Sequence, residues 1–173
     1  MVSKKDQDKI IRLNKEVTKK IKDKDYEECL VNLDKIISID PKIPNVWFDS
    51  GSIKILLGRP EDAINDLDEA IRLKPDYFDA LNNRGIAKMQ LGQFEAAIKD
   101  FNETIRLKSD NADAWNSRGV AKMQPEQYKS AIIDFDQAIK LNPQYTSAYK
   151  NRGKAFGTLG LHEKALEDFF KGL

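Results

Sequence analysis

The sequence predicts an all-α array of stacked antiparallel helix pairs, and three observations carry the prediction. Glycines recur at Gly51, Gly85, Gly119 and Gly153, 34 residues apart each time. Prolines follow the same period at Pro41, Pro75 and Pro143, with Ser109 in the remaining slot. Alanines repeat it at Ala63, Ala97, Ala131 and Ala165. A fixed period of this length marks supersecondary units that bury their apolar faces only by stacking on one another.

Repeat starts at Ile10, Pro44, Phe78, Ala112 and Thr146 put all three series in register. The chain then divides into a disordered polar N-terminus, 1–9, and a degenerate unit, 10–43. Full units follow at 44–77, 78–111 and 112–145, then a partial unit at 146–173. In a representative unit a first helix runs from Asp79 to Leu91. A Gly92-Gln93 turn leads to a second helix, Phe94 to Leu107, and a loop closes the unit near Ser109-Asp110. Ala97, Ile98, Phe101 and Ile105 give the second helix an apolar stripe at helical period. Small residues at positions eight and twenty let the two helices approach. The proline past the second helix stops it, because proline cannot donate and restricts its predecessor.

Position four of successive units reads Leu13, Trp47, Leu81, Trp115 and Tyr149, and position twenty-four reads Leu33, Leu67, Phe101, Phe135 and Phe169. With the glycine, alanine and proline series, this pattern resembles the tetratricopeptide repeat, TPR, and covers Ile10 to Leu173. The resemblance implies a right-handed superhelical solenoid. Departures are confined to a few places. Val17 and Cys29 replace the glycine and alanine of the first unit. Gln124-Pro125-Glu126-Gln127 replaces a Leu-Gly turn, with Pro125 expected to end the preceding helix. Pro60 is expected in the first turn of its helix, where proline is tolerated. Within this sequence no further helix covers the apolar end of the last unit at Phe169, Phe170 and Leu173, which is expected either of a piece of a longer chain or of an end that meets another surface.

Composition narrows the function. Lys plus Arg number 29 and Asp plus Glu 28, so no large single-sign field is implied, and nucleic acid and anionic membrane are not expected partners. The single cysteine, Cys29, allows no intrachain disulfide and is read as a core thiol; a reducing, cytoplasmic setting is the simplest expectation. No apolar run reaches the roughly 20 residues of a membrane span, so no direct membrane insertion is expected. One histidine and one cysteine leave little to converge on a substrate, and neither enzyme activity nor a metal or other cofactor is expected. His162 is read as partial packing, and Asp110-Asn111-Ala112-Asp113 as a loop with a helix cap rather than a calcium loop.

The recurring charges are read structurally. Arg84, Arg118 and Arg152 at position seven, and Asp66, Asp100, Asp134 and Asp168 at position twenty-three, are expected to tie helices together. Lys54, Lys88 and Lys122 are expected to lay their stems on apolar surface with the charge in water.

The TPR resemblance implies that the first helices line a concave groove that holds a protein or peptide segment. Carried onto this sequence, the lining is Asn82, Asn83, Ile86, Met89, Asn116, Ser117, Val120, Lys150, Asn151 and Lys154. Carboxamides suit an extended peptide backbone, because they donate and accept together. Lys150 and Lys154 favour an acidic portion of that segment. The carboxylate clamp of chaperone-binding relatives is not reproduced: its slots hold Phe48, Ser52, Asn83, Asp113 and Ser117, and only Asn83 fits. The function expected is a non-catalytic scaffold or adaptor. The alternative is a self-associating module that uses the uncovered C-terminal end.

Overall fold

The computed structural model describes residues 2–124 and 127–172. Among these residues there are ten helices and no strand. They are α1 (Lys4–Lys22), α2 (Tyr26–Ile39), α3 (Pro44–Leu56), α4 (Pro60–Leu73), α5 (Phe78–Gln90), α6 (Phe94–Leu107), α7 (Ala112–Ala121), α8 (Tyr128–Leu141), α9 (Thr146–Thr158) and α10 (His162–Lys171). Helices α3, α5, α7 and α9 begin at Pro44, Phe78, Ala112 and Thr146. The chain divides into two compact units, Met1–Ala87 and Lys88–Leu173.

In the first unit α1 packs on α2, α2 on α3, and α3 on α4. Its core joins Leu13, Val17, Cys29, Leu33, Val46 and Ile53, and a second cluster gathers Ala63, Leu67, Ala70, Tyr77 and Ala80. Cys29 is fully buried, and its thiol donates to the Val17 carbonyl at 3.7 Å. Burial pushes the thiol's pKa up, which keeps it protonated and inert. In the second unit α6 packs on α7, α7 on α8, α8 on α9, and α9 on α10.

Glycine at position eight is dictated by its neighbour at position twenty-four. A Cβ on Gly119 would stand 2.6 Å from Cε1 of Phe135, and one on Gly51 would stand 2.7 Å from Cγ of Leu67. Both distances are below van der Waals contact, so the helices cross where only a backbone fits.

Local sequence explains the helix ends. Pro44 and Pro60 occupy the first turns of α3 and α4. Asn111 caps α7 by accepting the Ala114 N–H at 3.1 Å. The turns between paired helices use positive φ at Gly58, Gly92 and Gly160, and Lys24 takes the same conformation at φ 58° in the first repeat. Trp47 and Trp115 close the loops before their helices: each indole N–H donates to a carbonyl six residues back, Pro41 at 2.8 Å and Ser109 at 2.9 Å.

Two expectations meet a different outcome. Lys4–Lys9, expected within a disordered segment, form the first turns of α1, because Ser3 accepts the Asp6 N–H and caps the helix. His162 is exposed at the start of α10 rather than partly packed. Helix α7 spans ten residues against thirteen for α3, α5 and α9, but Pro125, expected to end it, lies outside the described residues.

Candidate functional site

The recurring charges are spent on holding the repeats together. Arg118 donates to Asp134 of its own repeat at 3.0 and 2.6 Å and to Asn102 of the preceding repeat at 2.6 Å. Arg152 repeats the arrangement with Asp168 at 2.7 and 2.6 Å and with Asp136 at 2.5 Å. Arg84 reaches Asp68 of the preceding repeat at 2.5 Å. Asp134 and Asp168 are buried. A buried carboxylate needs such partners, and a planar guanidinium supplies two parallel donors. The hydrogen bond to Asp168, and then that to Asp136, raise the Arg152 pKa above its already high value.

Lys54, Lys88 and Lys122 differ from expectation. Their ammonium groups are not left in water but pair with Asp66 at 2.5 Å, Asp100 at 2.8 Å and Asp134 at 2.8 Å. In the second repeat Ser50 stands at the arginine position. It is fully buried, and its hydroxyl has no hydrogen-bond partner among the described residues.

The first-helix face of the first unit carries Asn82, Asn83 and Ile86 of α5, all half-buried. Asn83 donates to Ser52 Oγ at 2.8 Å, and Ser52 in turn donates to the Phe48 carbonyl at 2.7 Å. Asn83 therefore bridges α5 to α3. Asn82 Oδ1 is buried without a hydrogen-bond partner among the described residues. Beside them lie residues that sequence reasoning did not single out as a group. The rings of Phe48 and Tyr77 sit 5.0 Å apart. Burial, and then the charges of Asp49 and Asp79, push the Tyr77 phenol up to about 12. Burial also raises the Asp49 carboxyl above the usual carboxylate range.

The second unit carries Asn116, Ser117 and Val120 on α7, and Lys150, Asn151 and Lys154 on α9. Met89 lies in the last turn of α5. Asn151 donates to Asn116 Oδ1 at 3.0 Å, so these two are brought together. Tyr145, the last residue of its repeat, donates back to Asp113 at the start of the same repeat at 2.5 Å. Its phenol pKa is raised by burial first and by that hydrogen bond second. Val120 leans on the cluster of Ala131, Phe135 and Ala155. Lys150 and Lys154 are exposed one helical turn apart, and neither forms an ion pair with a described residue. The signal for the missed tyrosines was present in the sequence: Tyr77 and Tyr145 are two periods apart, at the last position of their units.

Other surface features of the first unit lie along α1. Depressions of about 660 and 520 Å³ flank α1, lined in the larger case by Ser3, Lys5, Asp6, Asp8, Lys9 and Arg12. Among the described residues no group of three or more His, Cys, Asp or Glu side chains is placed to hold a metal ion, and no described helix is long and apolar enough to cross a membrane.

Comparison with known proteins agrees with this geometry. The crystal structure of MamA superposes with a TM-score of 0.81 at 25% identity, covering 90% of this chain and 91% of that one. MamA residues 41 to the end from Desulfovibrio magneticus RS-1 give 0.86 at 21% identity, covering 95% and 93%. YrrB, described as a TPR protein with an unusual peptide-binding site, gives 0.72 at 18% identity, covering 90% and 80%. No curated protein matches the sequence. The TPR repeat family model matches residues 51–92, 87–125 and 121–160. Those matches span most of the chain and fall on the repeats whose arginines, glycines and buried aspartates have just been described, and the protein belongs to the TPR repeat family.

Proposed function

We propose that the protein is a non-catalytic interaction module that works in the cytoplasm and holds a segment of a partner protein against the first-helix faces of its repeats. One observation carries the reading. The recurring charges at positions seven, eleven and twenty-three are engaged within the fold, whereas Lys150 and Lys154 stand exposed without a described partner. In the second unit Ser117, Asn151 and the two lysines then form the contact surface, with Asn116 fixing Asn151. In the first unit Asn82, Asn83 and Ile86 stand half-buried on the same helix face. The likeness to YrrB, a TPR protein with a peptide-binding site, supports a peptide as ligand.

The test is capture of partners by the wild-type chain and by a Lys150→Glu, Lys154→Glu variant of equal helicity. The reading predicts a partner that the wild type retains and the variant loses. Equal capture by both would remove α9 from the contact surface and overturn the assignment.

A second reading, self-association, rests on α10. Leu166 and Phe170, one turn apart, are 57% and 71% exposed. If a second copy covers them, the mass in solution rises with concentration, and Phe170→Asp abolishes the rise.

A further inference from the structure

The near-zero net charge conceals a sorted distribution. Helix α1 carries eight basic residues and three acidic ones, so the rest of the chain is net negative. At 100° per residue, Lys4, Lys5, Arg12, Lys15, Lys19 and Lys22 fall within about 100° of arc, opposite Leu13 and Val17, which enter the core. All six are exposed. They run the full helix, about 28 Å, in one straight stripe. Asp8 is the one acidic residue within that arc, and Glu16, at its edge, pairs only loosely with Arg12 at 3.9 Å. Among the other first helices α3 carries one lysine and one aspartate, and α9 carries three basic residues, of which Arg152 is paired inside the fold.

Helix stability does not account for the stripe. Cations in the last turn favour the macrodipole, which covers Lys19 and Lys22. Lys4 and Lys5, however, occupy the first turn, where cations oppose it. These two lysines cost the helix something and are exposed without compensation inside the fold.

We propose that the solvent face of α1 docks on an anionic lipid surface, with the helix lying flat. A straight, solvent-facing row of cations matches a plane of negative headgroups. Ile11 borders the row near its middle and is 54% exposed, an apolar tip able to enter between headgroups. The row holds no aromatic side chain on which a base could stack, so a single-stranded nucleic acid finds phosphate contacts and nothing more. This surface uses none of the residues proposed above to contact a protein partner.

The experiment is co-sedimentation of the full chain with phosphatidylserine-rich vesicles, with phosphatidylcholine vesicles and a single-stranded RNA as comparison probes. Binding to the anionic vesicles alone, released by salt, is the expected result. Lys4→Glu with Lys5→Glu should lower vesicle binding roughly 100-fold, while the helix start is strengthened, so misfolding does not mimic the loss. Ile11→Ser should weaken vesicle binding about tenfold through lost insertion. Three outcomes overturn the proposal: no binding to anionic vesicles at low salt, binding untouched by the charge reversals, or RNA bound more tightly than vesicles.

Discussion

Arg152 and Asp168 meet at 2.6 Å, and Arg152 is the one described side chain that hydrogen-bonds this buried carboxylate. Asp134, at the equivalent position one repeat earlier, has both Arg118 and Lys122. The difference arises because Phe156 occupies position eleven of the last repeat, where the others carry lysine.

Removing the two arginines should therefore have unequal effects. Arg152→Met leaves Asp168 without a hydrogen-bonding counter-ion and should cost about 3–5 kcal/mol. Arg118→Met leaves Asp134 with Lys122 and should cost about 1–3 kcal/mol, nearer the loss of a charged hydrogen bond. Urea midpoints of the two variants measure the gap, and equal losses would show that Lys122 does not substitute.

Gly119→Ala should destabilise by about 1–3 kcal/mol, because its new methyl meets the ring of Phe135. Removing that ring makes room for the methyl. The double variant Gly119→Ala with Phe135→Ala should lose less than the sum of the single changes, as neighbours in contact do. The first repeat already shows a side chain at this position, where Val17 shares a core cluster with Leu33. A double-mutant cycle in urea gives the coupling and its sign.

Asp49 makes stability depend on acidity. Burial raises its folded-state pKa, so the folded protein holds that proton more tightly than the unfolded chain does. The resulting contribution is fully present below the ordinary carboxylate pKa and is lost as pH rises through the raised value. At neutral pH the ionised group is a net cost. Asp49→Asn should then stabilise the protein at pH 7, with the gain shrinking as pH falls through the raised pKa and gone below the ordinary carboxylate value, about 4. Thermal midpoints of both proteins across that range decide it, and a gain that grows on acidification contradicts the burial argument.

How much of this was written in the sequence depended on what repeats. Gly51, Gly119 and Gly153 recur because a backbone contact recurs, so the period located the helices and their starts. The arginine and aspartate rows were legible as structural for the same reason. The second partner of each arginine, Asp68, Asn102 or Asp136 of the preceding repeat, was not, because it depends on how one helix pair leans on the next. Lys54, Lys88 and Lys122 were placed in water because helical spacing alone does not show that Asp66, Asp100 and Asp134 lie within reach. Asn83 and Asn116 carry the residue type of a groove contact, yet each is bonded inside the fold. Lys4–Lys9 were misread because polarity was taken for disorder, when Ser3 caps a helix whose apolar stripe begins only at Ile10.

Ser50 has a mechanical consequence. Each later arginine pins its helix to the second helix of the preceding repeat, but at the joint between α2 and α3 the buried serine offers no such bond. That joint is left with apolar packing, and the exposed Arg59–Glu27 pair reaches from the start of α4 to α2. Under tension along the chain, α1 and α2 would peel away first as a pair. The protein would lengthen by one repeat while the arginine-pinned joints of the later repeats still held.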